Sequence, residues 1–97
     1  MGLATAVVSC DPTDDGWRCS VTVGDDAGAT SHEVIVGRAT LQDLAPTATP
    51  ELLVSESFAF LLEREPRESI LRSFELPIIG RYFADYSDQI RRRLATG

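Results

Sequence analysis

The chain has 97 residues, of which 43% are hydrophobic and 25% charged, a composition that fits one folded domain and excludes a disordered chain. Its net charge of −6 disfavours nucleic acid and anionic membranes as partners, because like charges repel. Residues 1–49 hold seven acids against two arginines and residues 50–97 hold eight against seven, so a phosphate-bearing partner is expected only at the second half.

The first third of the chain alternates apolar and polar residues with period two. Turns rich in Asp and Gly, at 11–16 and 24–28, divide it into three segments, which is typical of strands joined by hairpins. The pattern predicts a three-stranded antiparallel meander, in the order 1-2-3, over residues 1–37. A slip of one residue would turn a whole apolar set outward, so the pattern also fixes which side chains point inward. The predicted inward residues are Ala6, Val8, Cys10, Trp17, Cys19, Val21, Val23, His32, Val34 and Val36.

Residues 38–97 are predicted to be helical. Thr40 is expected to cap a short turn that Pro46 ends. Thr49, Pro50 and Glu51 then form a helix-start signature, and the main helix is predicted from Pro50 to about residue 65, where Pro66 stops it. Its wide apolar arc indicates a central helix, covered by the sheet on one side and by later helices on the other.

Shorter helices are predicted over 66–73 and 77–84, separated by a turn at 74–76, and a last helix is predicted with Asp85 or Ser87 as its cap. The expected fold class is α+β, a single domain over 1–97 with three to five short helices packed on one face of the meander.

The first turn partly matches a calcium-binding loop. Asp11, Thr13, Asp15 and Gly16 fall at its first, third, fifth and sixth positions. Thr22 stands at the twelfth position, where such a loop requires a bidentate Glu. A plain hairpin turn explains the same residues, so no metal is predicted here.

Cys10, Cys19 and His32 share the predicted inner face, and all three residue types bind zinc. Their spacing matches no zinc knuckle and a fourth ligand is missing, so burial in the core is the favoured interpretation. A disulfide between the cysteines requires them to be direct cross-strand neighbours. The interpretation favoured from the sequence is a cytoplasmic protein with both thiols reduced, because no signal peptide or membrane span is visible.

An enzyme is not expected. His32 is the only histidine, so a Ser-His-Asp or Cys-His mechanism would have to use it. The sequence has neither a Gly-x-Ser-x-Gly elbow nor a glycine cluster that could hold a phosphate. No catalytic residue and no cofactor is predicted.

Residues 67–86 have the helix–turn–helix rhythm, which makes nucleic-acid binding the first alternative function. Arg81 and the run Arg91, Arg92 and Arg93 would supply the cations. The acids interleaved among them argue against it, and three consecutive residues spread around a helix instead of forming one patch.

Contact with another protein or with a second copy is the leading hypothesis. Val7 and Ile35 interrupt the polar face of the sheet, and the outer strands of an open meander can accept another strand. Tyrosines beside arginines have the composition of an interface core. The predicted interaction surface consists of Val7, Ile35, Arg81, Tyr82, Tyr86, Arg91, Arg92 and Arg93.

The stretch from Phe58 to Leu71, followed by Phe74, by residues 76–79 and by residues 81–83, resembles a family of small bacterial proteins of unknown function. The resemblance covers residues 50–90 and extends to the strands only by pattern. It implies a β-rich first half, a helical second half and a stand-alone protein, and it transfers no functional residue. Arginine without lysine is also typical of high-GC, actinobacterial-type genomes.

Overall fold

In the computed structural model, which describes residues 5–25 and 28–95, four strands form one mixed sheet in the order β1-β2-β3-β4. The strands are β1 (Thr5–Pro12), β2 (Gly16–Asp25), β3 (Gly28–Gly37) and β4 (Ser73–Glu75). The predicted antiparallel meander is confirmed as β1 to β3, and the α+β class is confirmed with it. The fourth strand was not predicted, and it runs parallel to β3.

Four α-helices follow the meander in the described part of the chain. They are α1 (Arg38–Leu44), α2 (Pro50–Leu62), α3 (Ile79–Tyr82) and α4 (Tyr86–Ala95), with 3-10 turns at Arg67–Ser69 and Leu76–Ile78. None of the helices within residues 5–25 and 28–95 is long and apolar enough to cross a membrane.

The predicted alternation of the strands is confirmed. Val21, Val23, Val34 and Val36 are all buried, whereas Thr22 and Glu33 on the opposite face are exposed. β2 and β3 approach so closely at their paired glycines, Gly16 and Gly37, that a Cβ on Gly16 would overlap the carbonyl oxygen of Val36. Gly16 is therefore required by the close packing of β2 on β3.

Cys10 faces Cys19 directly across β1 and β2, with their Cα atoms 4.0 Å apart, and the two form a disulfide. The expectation that both thiols are reduced is therefore wrong for this structure. The two sulfurs were predicted to share the inner face, but the sequence left open the register that brings them into contact.

The main helix begins where it was predicted. Thr49 is its N-cap and its hydroxyl accepts a hydrogen bond from the Leu52 amide at 3.1 Å. The helix ends at Leu62, earlier than expected. Pro66 disfavours helical backbone at the residue before it, and the last turn narrows to a 3-10 hydrogen bond from the Arg64 amide to the Leu61 carbonyl. Thr40 is not the N-cap of the next helix, because α1 begins at Arg38 with Gly37 as its N-cap.

The predicted helix over 66–73 is wrong, whereas the one over 77–84 is confirmed in part by the 3-10 turn Leu76–Ile78 and α3. The first is only a 3-10 turn, and the predicted turn at 74–76 is instead β4, where Phe74 points into the core between exposed Ser73 and Glu75. This segment lies along the edge of β3, and the Glu33 amide donates to the Arg72 carbonyl at 2.7 Å. Pairing with that edge satisfies backbone groups that an isolated short helix would leave open.

α2 occupies the centre of the molecule, as predicted, since it packs against β1 and β2 and against α4. Its buried residues are Leu53, Val54, Ser57, Phe58, Phe60 and Leu61. The described residues share a single core, to which β2 and β3 contribute valines and the helices and β4 contribute most of the aromatic rings.

Candidate functional site

An apolar groove of about 310 Å³ opens between the end of α2, the segment around β4, and α3. It is the feature of the described surface that best fits a binding site, because concave, mostly apolar sites with few polar groups are typical of ligand binding. Its lining residues are Leu61, Glu65, Ser69, Ile70, Leu71, Phe74, Ile78, Ile79, Tyr82 and Phe83.

The groove has a buried floor and an exposed rim. Phe74 and Ile79 belong to the core, whereas Leu71 is 47% exposed and Tyr82 is 70% exposed. Large apolar side chains that are exposed beside a concave apolar surface mark interaction sites more often than single exposed ones do. The arrangement can bind an apolar group, and Glu65 and Ser69 are the polar residues that line it.

His32 fixes one wall of the groove. Its Nδ1 lies 2.8 Å from the carbonyl oxygen of Leu71, which can only accept, so Nδ1 carries a proton. Its Nε2 lies 2.8 Å from the hydroxyl of Thr30, and its ring contacts Phe58 with centroids 5.4 Å apart. The side chain is buried, and its two ring nitrogens are both engaged, so the imidazole acts here as a link between β3 and the segment before β4.

The interpretation of Cys10, Cys19 and His32 as core residues accounts for their positions, and the zinc alternative does not. Both sulfurs are consumed in the disulfide, so neither offers a thiolate. Asp11 of the partial calcium loop is paired with Arg18 in the β1–β2 ladder. No group of three His, Cys, Asp or Glu side chains within 5–25 and 28–95 is placed to hold a metal ion.

Val7 and Ile35 lie on the same face of the sheet but do not form one surface. Val7 pairs with Thr22 and Ile35 pairs with Arg18, so they stand two strands and four residues apart, roughly 17 Å. Val7 is 68% exposed, whereas Ile35 is half-buried and lies beside the Arg18–Glu33 ion pair. Val7 alone is therefore an exposed apolar feature of this face.

Tyr86 does not belong to the predicted surface, because it is buried in the core. The Ser57 hydroxyl donates to the Leu53 carbonyl at 2.7 Å, so the Tyr86 hydroxyl donates to Ser57 at 2.6 Å. Burial raises the pKa of Tyr86 to about 12. The sequence suggested an interface tyrosine because the helix around it could not be oriented without the partner helix α2.

The arginines of α4 are engaged within the molecule. Arg91 pairs with Asp43 at 3.1 Å, and Arg93 pairs with Glu63 at 2.7 Å. The hydrogen bond from Arg93 holds the pKa of Glu63 below its ordinary value. Arg81 and Arg92 are exposed, and Arg92 also has a partner. These pairs serve the packing of α4 on α1 and α2.

The helix–turn–helix alternative for residues 67–86 does not match the structure, since Phe74 stands in a strand and α3 has four residues. That geometry removes the recognition helix on which the nucleic-acid alternative depended. Binding of nucleic acid by Arg81 and the arginines of α4 stays a prediction without a structural motif behind it.

Comparison with protein families, with curated proteins and with solved structures gives no match to this chain. The resemblance to a family of small bacterial proteins therefore stays a prediction.

Sequence reasoning placed Tyr82 in the interaction surface but missed the rest of the groove. Leu71 was assigned to a helix, where an apolar residue reads as core. The signal that could have found it is the length of the stretch between Pro66 and Pro77, because two prolines eleven residues apart leave little room for a stable helix.

Proposed function

We propose that this protein is a small non-enzymatic binding module that acts through contact with another protein. The observation that carries the proposal is the apolar groove with Leu71 and Tyr82 exposed on its rim. Aromatic and aliphatic side chains around a concave patch are the usual centre of a protein interface. The partner would insert an apolar side chain between Leu71 and Tyr82.

The chain offers a matched pair of variants to test this. Leu71 on the groove rim is 47% exposed, and Leu52 on α2, outside the groove, is 46% exposed. Leu71→Glu and Leu52→Glu therefore make the same chemical change at equal exposure. Affinity capture from the source cells, with quantification of every retained protein, should show a partner that the native chain and Leu52→Glu retain and Leu71→Glu loses.

Equal retention by both variants would overturn the groove as the site of contact. Tyr82→Ala, which removes the most exposed aromatic ring, should reproduce the loss seen with Leu71→Glu. Circular dichroism of all three variants checks that the fold is unchanged.

The cytoplasmic location predicted from the sequence is kept as a proposal, and the Cys10–Cys19 disulfide weighs against it, because such bonds persist mainly in oxidising compartments. Thiol labelling of the protein as it leaves the cell, before any air oxidation, tests this. Two reactive thiols support the cytoplasm, and none supports an oxidising compartment.

A further inference from the structure

Within the described residues, β1 is an outer strand of the sheet and pairs with β2 alone. The Thr13 amide donates to the Gly16 carbonyl at 2.7 Å, which marks that pair as hydrogen-bonded. Because hydrogen-bonded and non-hydrogen-bonded pairs alternate along an antiparallel ladder, Val7 and Ser9 turn their backbone groups toward β2. The backbone groups of Ala6, Val8 and Cys10 therefore point away from β2. The 4.0 Å between the Cα atoms of Cys10 and Cys19 agrees, since the closely spaced pairs are the non-hydrogen-bonded ones.

Asp11 and Pro12 protect only the end of this edge, and the side chains before them do nothing to keep another strand away. Natural edge strands are protected by charged residues, prolines or bulges, and residues 6–10 contain none of these. Val7, the second residue of this stretch, is 68% exposed, and its row across the sheet continues with Thr22 and Ser31. An uncharged strand with outward backbone groups and an exposed valine is suited to pairing with a further strand.

We propose that the strand it accepts is β1 of a second copy of this chain, antiparallel to the first, so that the two sheets join into one of eight strands. In such a ladder, two facing residues either both turn their backbone groups toward the new interface or both turn them away from it. Residues that alternate in this way can face each other only if the two-fold axis passes through a residue and its own copy. We place the axis at Val7. Ala6 of each copy then faces Val8 of the other, which forms four main-chain hydrogen bonds.

The axis at Val7 is chosen because it buries the exposed side chain against itself. Val7 and its copy form a non-hydrogen-bonded pair, in which Cβ atoms lie about 4.5–5.5 Å apart and side chains contact most closely. An axis at Val8 would set Val7 against Ser9, and an axis at Ser9 would set it against Asp11. The valine is thus self-complementary in one register only.

No like charges meet in this register. Asp11 lies four residues from the axis, so the two copies of Asp11 are about 27 Å apart along the ribbon. That distance exceeds the screening length of about 10 Å at 0.1 M salt. The net charge of −6 on each copy still opposes approach, so association should strengthen as salt increases, which is the reverse of an interface made of ion pairs.

The mass in solution tests the proposal directly. Sedimentation of the full chain over a wide concentration range should show the mass doubling, with association at least tenfold weaker in Val7→Lys, which sets two cations face to face. Ser20→Lys makes an equal charge change on the same exposed face of the next strand and should leave the dimer intact. A single-copy mass at every concentration, or equal weakening by both variants, would overturn the proposal.

Cysteine cross-linking tests the register. Val7→Cys should form a linked dimer under mild oxidation, because the two Cβ atoms fall within disulfide reach. Ser9→Cys should not, since the two copies of that residue are about 14 Å apart along the ribbon. The native chain, treated alike, controls for exchange with the Cys10–Cys19 bond. Linking at Ser9→Cys instead of Val7→Cys would overturn the axis at Val7.

This edge is separate from the groove at Leu71 and Tyr82, so the inference does not rest on the proposed function. A chain that stays single but binds an added extended peptide at β1 would show that the edge accepts a foreign strand, and would overturn the second copy as its occupant.

Discussion

The meander of residues 5–37 and the segment 66–86 differ in how well their secondary structure could be predicted from the sequence. The strands of the meander have 8 to 10 residues and pair with their neighbours in the chain. The later segment is divided into two 3-10 turns, a three-residue strand and a four-residue helix. Its partner, β3, lies about 40 residues earlier. The local sequence pattern therefore predicts secondary structure where a strand pairs with its neighbour in the chain. It fails where a segment becomes a strand only by pairing with a strand that is distant in sequence.

Phe58 contacts both regions, and truncating its side chain should lower the free energy of unfolding more than any other change considered below. Its ring lies 5.4 Å from His32 in the meander and 6.2 Å from Phe74 in the later segment, centroid to centroid. Phe58→Ala should lower the free energy of unfolding by about 3–5 kcal/mol, since the cavity opens between both regions. Urea denaturation measures this. Phe58→Leu, which keeps most of the volume, should lose less than half as much, and an equal loss would contradict the cavity explanation.

A pair of glycines compares the regions themselves. A Cβ at Gly16 would overlap the Val36 carbonyl oxygen in the meander, whereas one at Gly80 in α3 meets nothing within 4 Å. Gly16→Ala should cost about 3 kcal/mol of unfolding free energy, because the backbone must move. Gly80→Ala should be neutral or stabilising by up to about 1 kcal/mol, as alanine favours helix. Thermal and urea denaturation of both variants measure the two changes in unfolding free energy. Equal changes would show that β2 and β3 move apart without cost to accept the added methyl group.

Alkaline pH should test how α4 is held. The pKa of Tyr86 is raised to about 12 in the folded chain, above its ordinary value of 10, so the unfolded chain loses the phenolic proton first. The stabilising contribution is complete below pH 10 and is lost as pH rises from 10 to about 12. Because the folded and unfolded pKa values differ by about two units, the loss of unfolding free energy should reach roughly 2–3 kcal/mol.

Tyr86→Phe should remove most of that alkaline loss, at a cost of about 1 kcal/mol near pH 7 from the missing hydrogen bond to Ser57. Tyr82→Phe, at an exposed position, is the control and should retain the loss. Stability measured by urea at pH 8, 10 and 11.5 tells the two apart, and identical pH profiles would contradict the burial of Tyr86.

His32 gives a smaller effect confined to the later segment. His32→Phe removes the donor to the Leu71 carbonyl and should lower the free energy of unfolding by about 1 kcal/mol, because a partly buried hydrogen bond is lost. His32→Asn places an amide near the position of Nδ1 and should recover part of the loss. In His32→Phe, amide hydrogen exchange should become faster in residues 71–75 than in β1 and β2. An equal increase in all of these segments would contradict the role of His32 as a link.

Much of the fold could be predicted from the residues alone. The inward set from Val21 to Val36, the N-cap at Thr49 and the central place of α2 all follow from period, capping and apolar arc. The candidate site could not be predicted to the same degree. Tyr82 was placed in it, but Leu71 and Phe74 were assigned to a helix and a turn.

The sequence by itself determined the parity of the strands and the start of the main helix, because both are set by neighbours within a few residues. The tertiary structure alone decided three things: that Cys10 meets Cys19, that Tyr86 turns inward to Ser57, and that residues 73–75 extend along β3. In each case the deciding contact joins elements whose relative position is not encoded in any local sequence pattern.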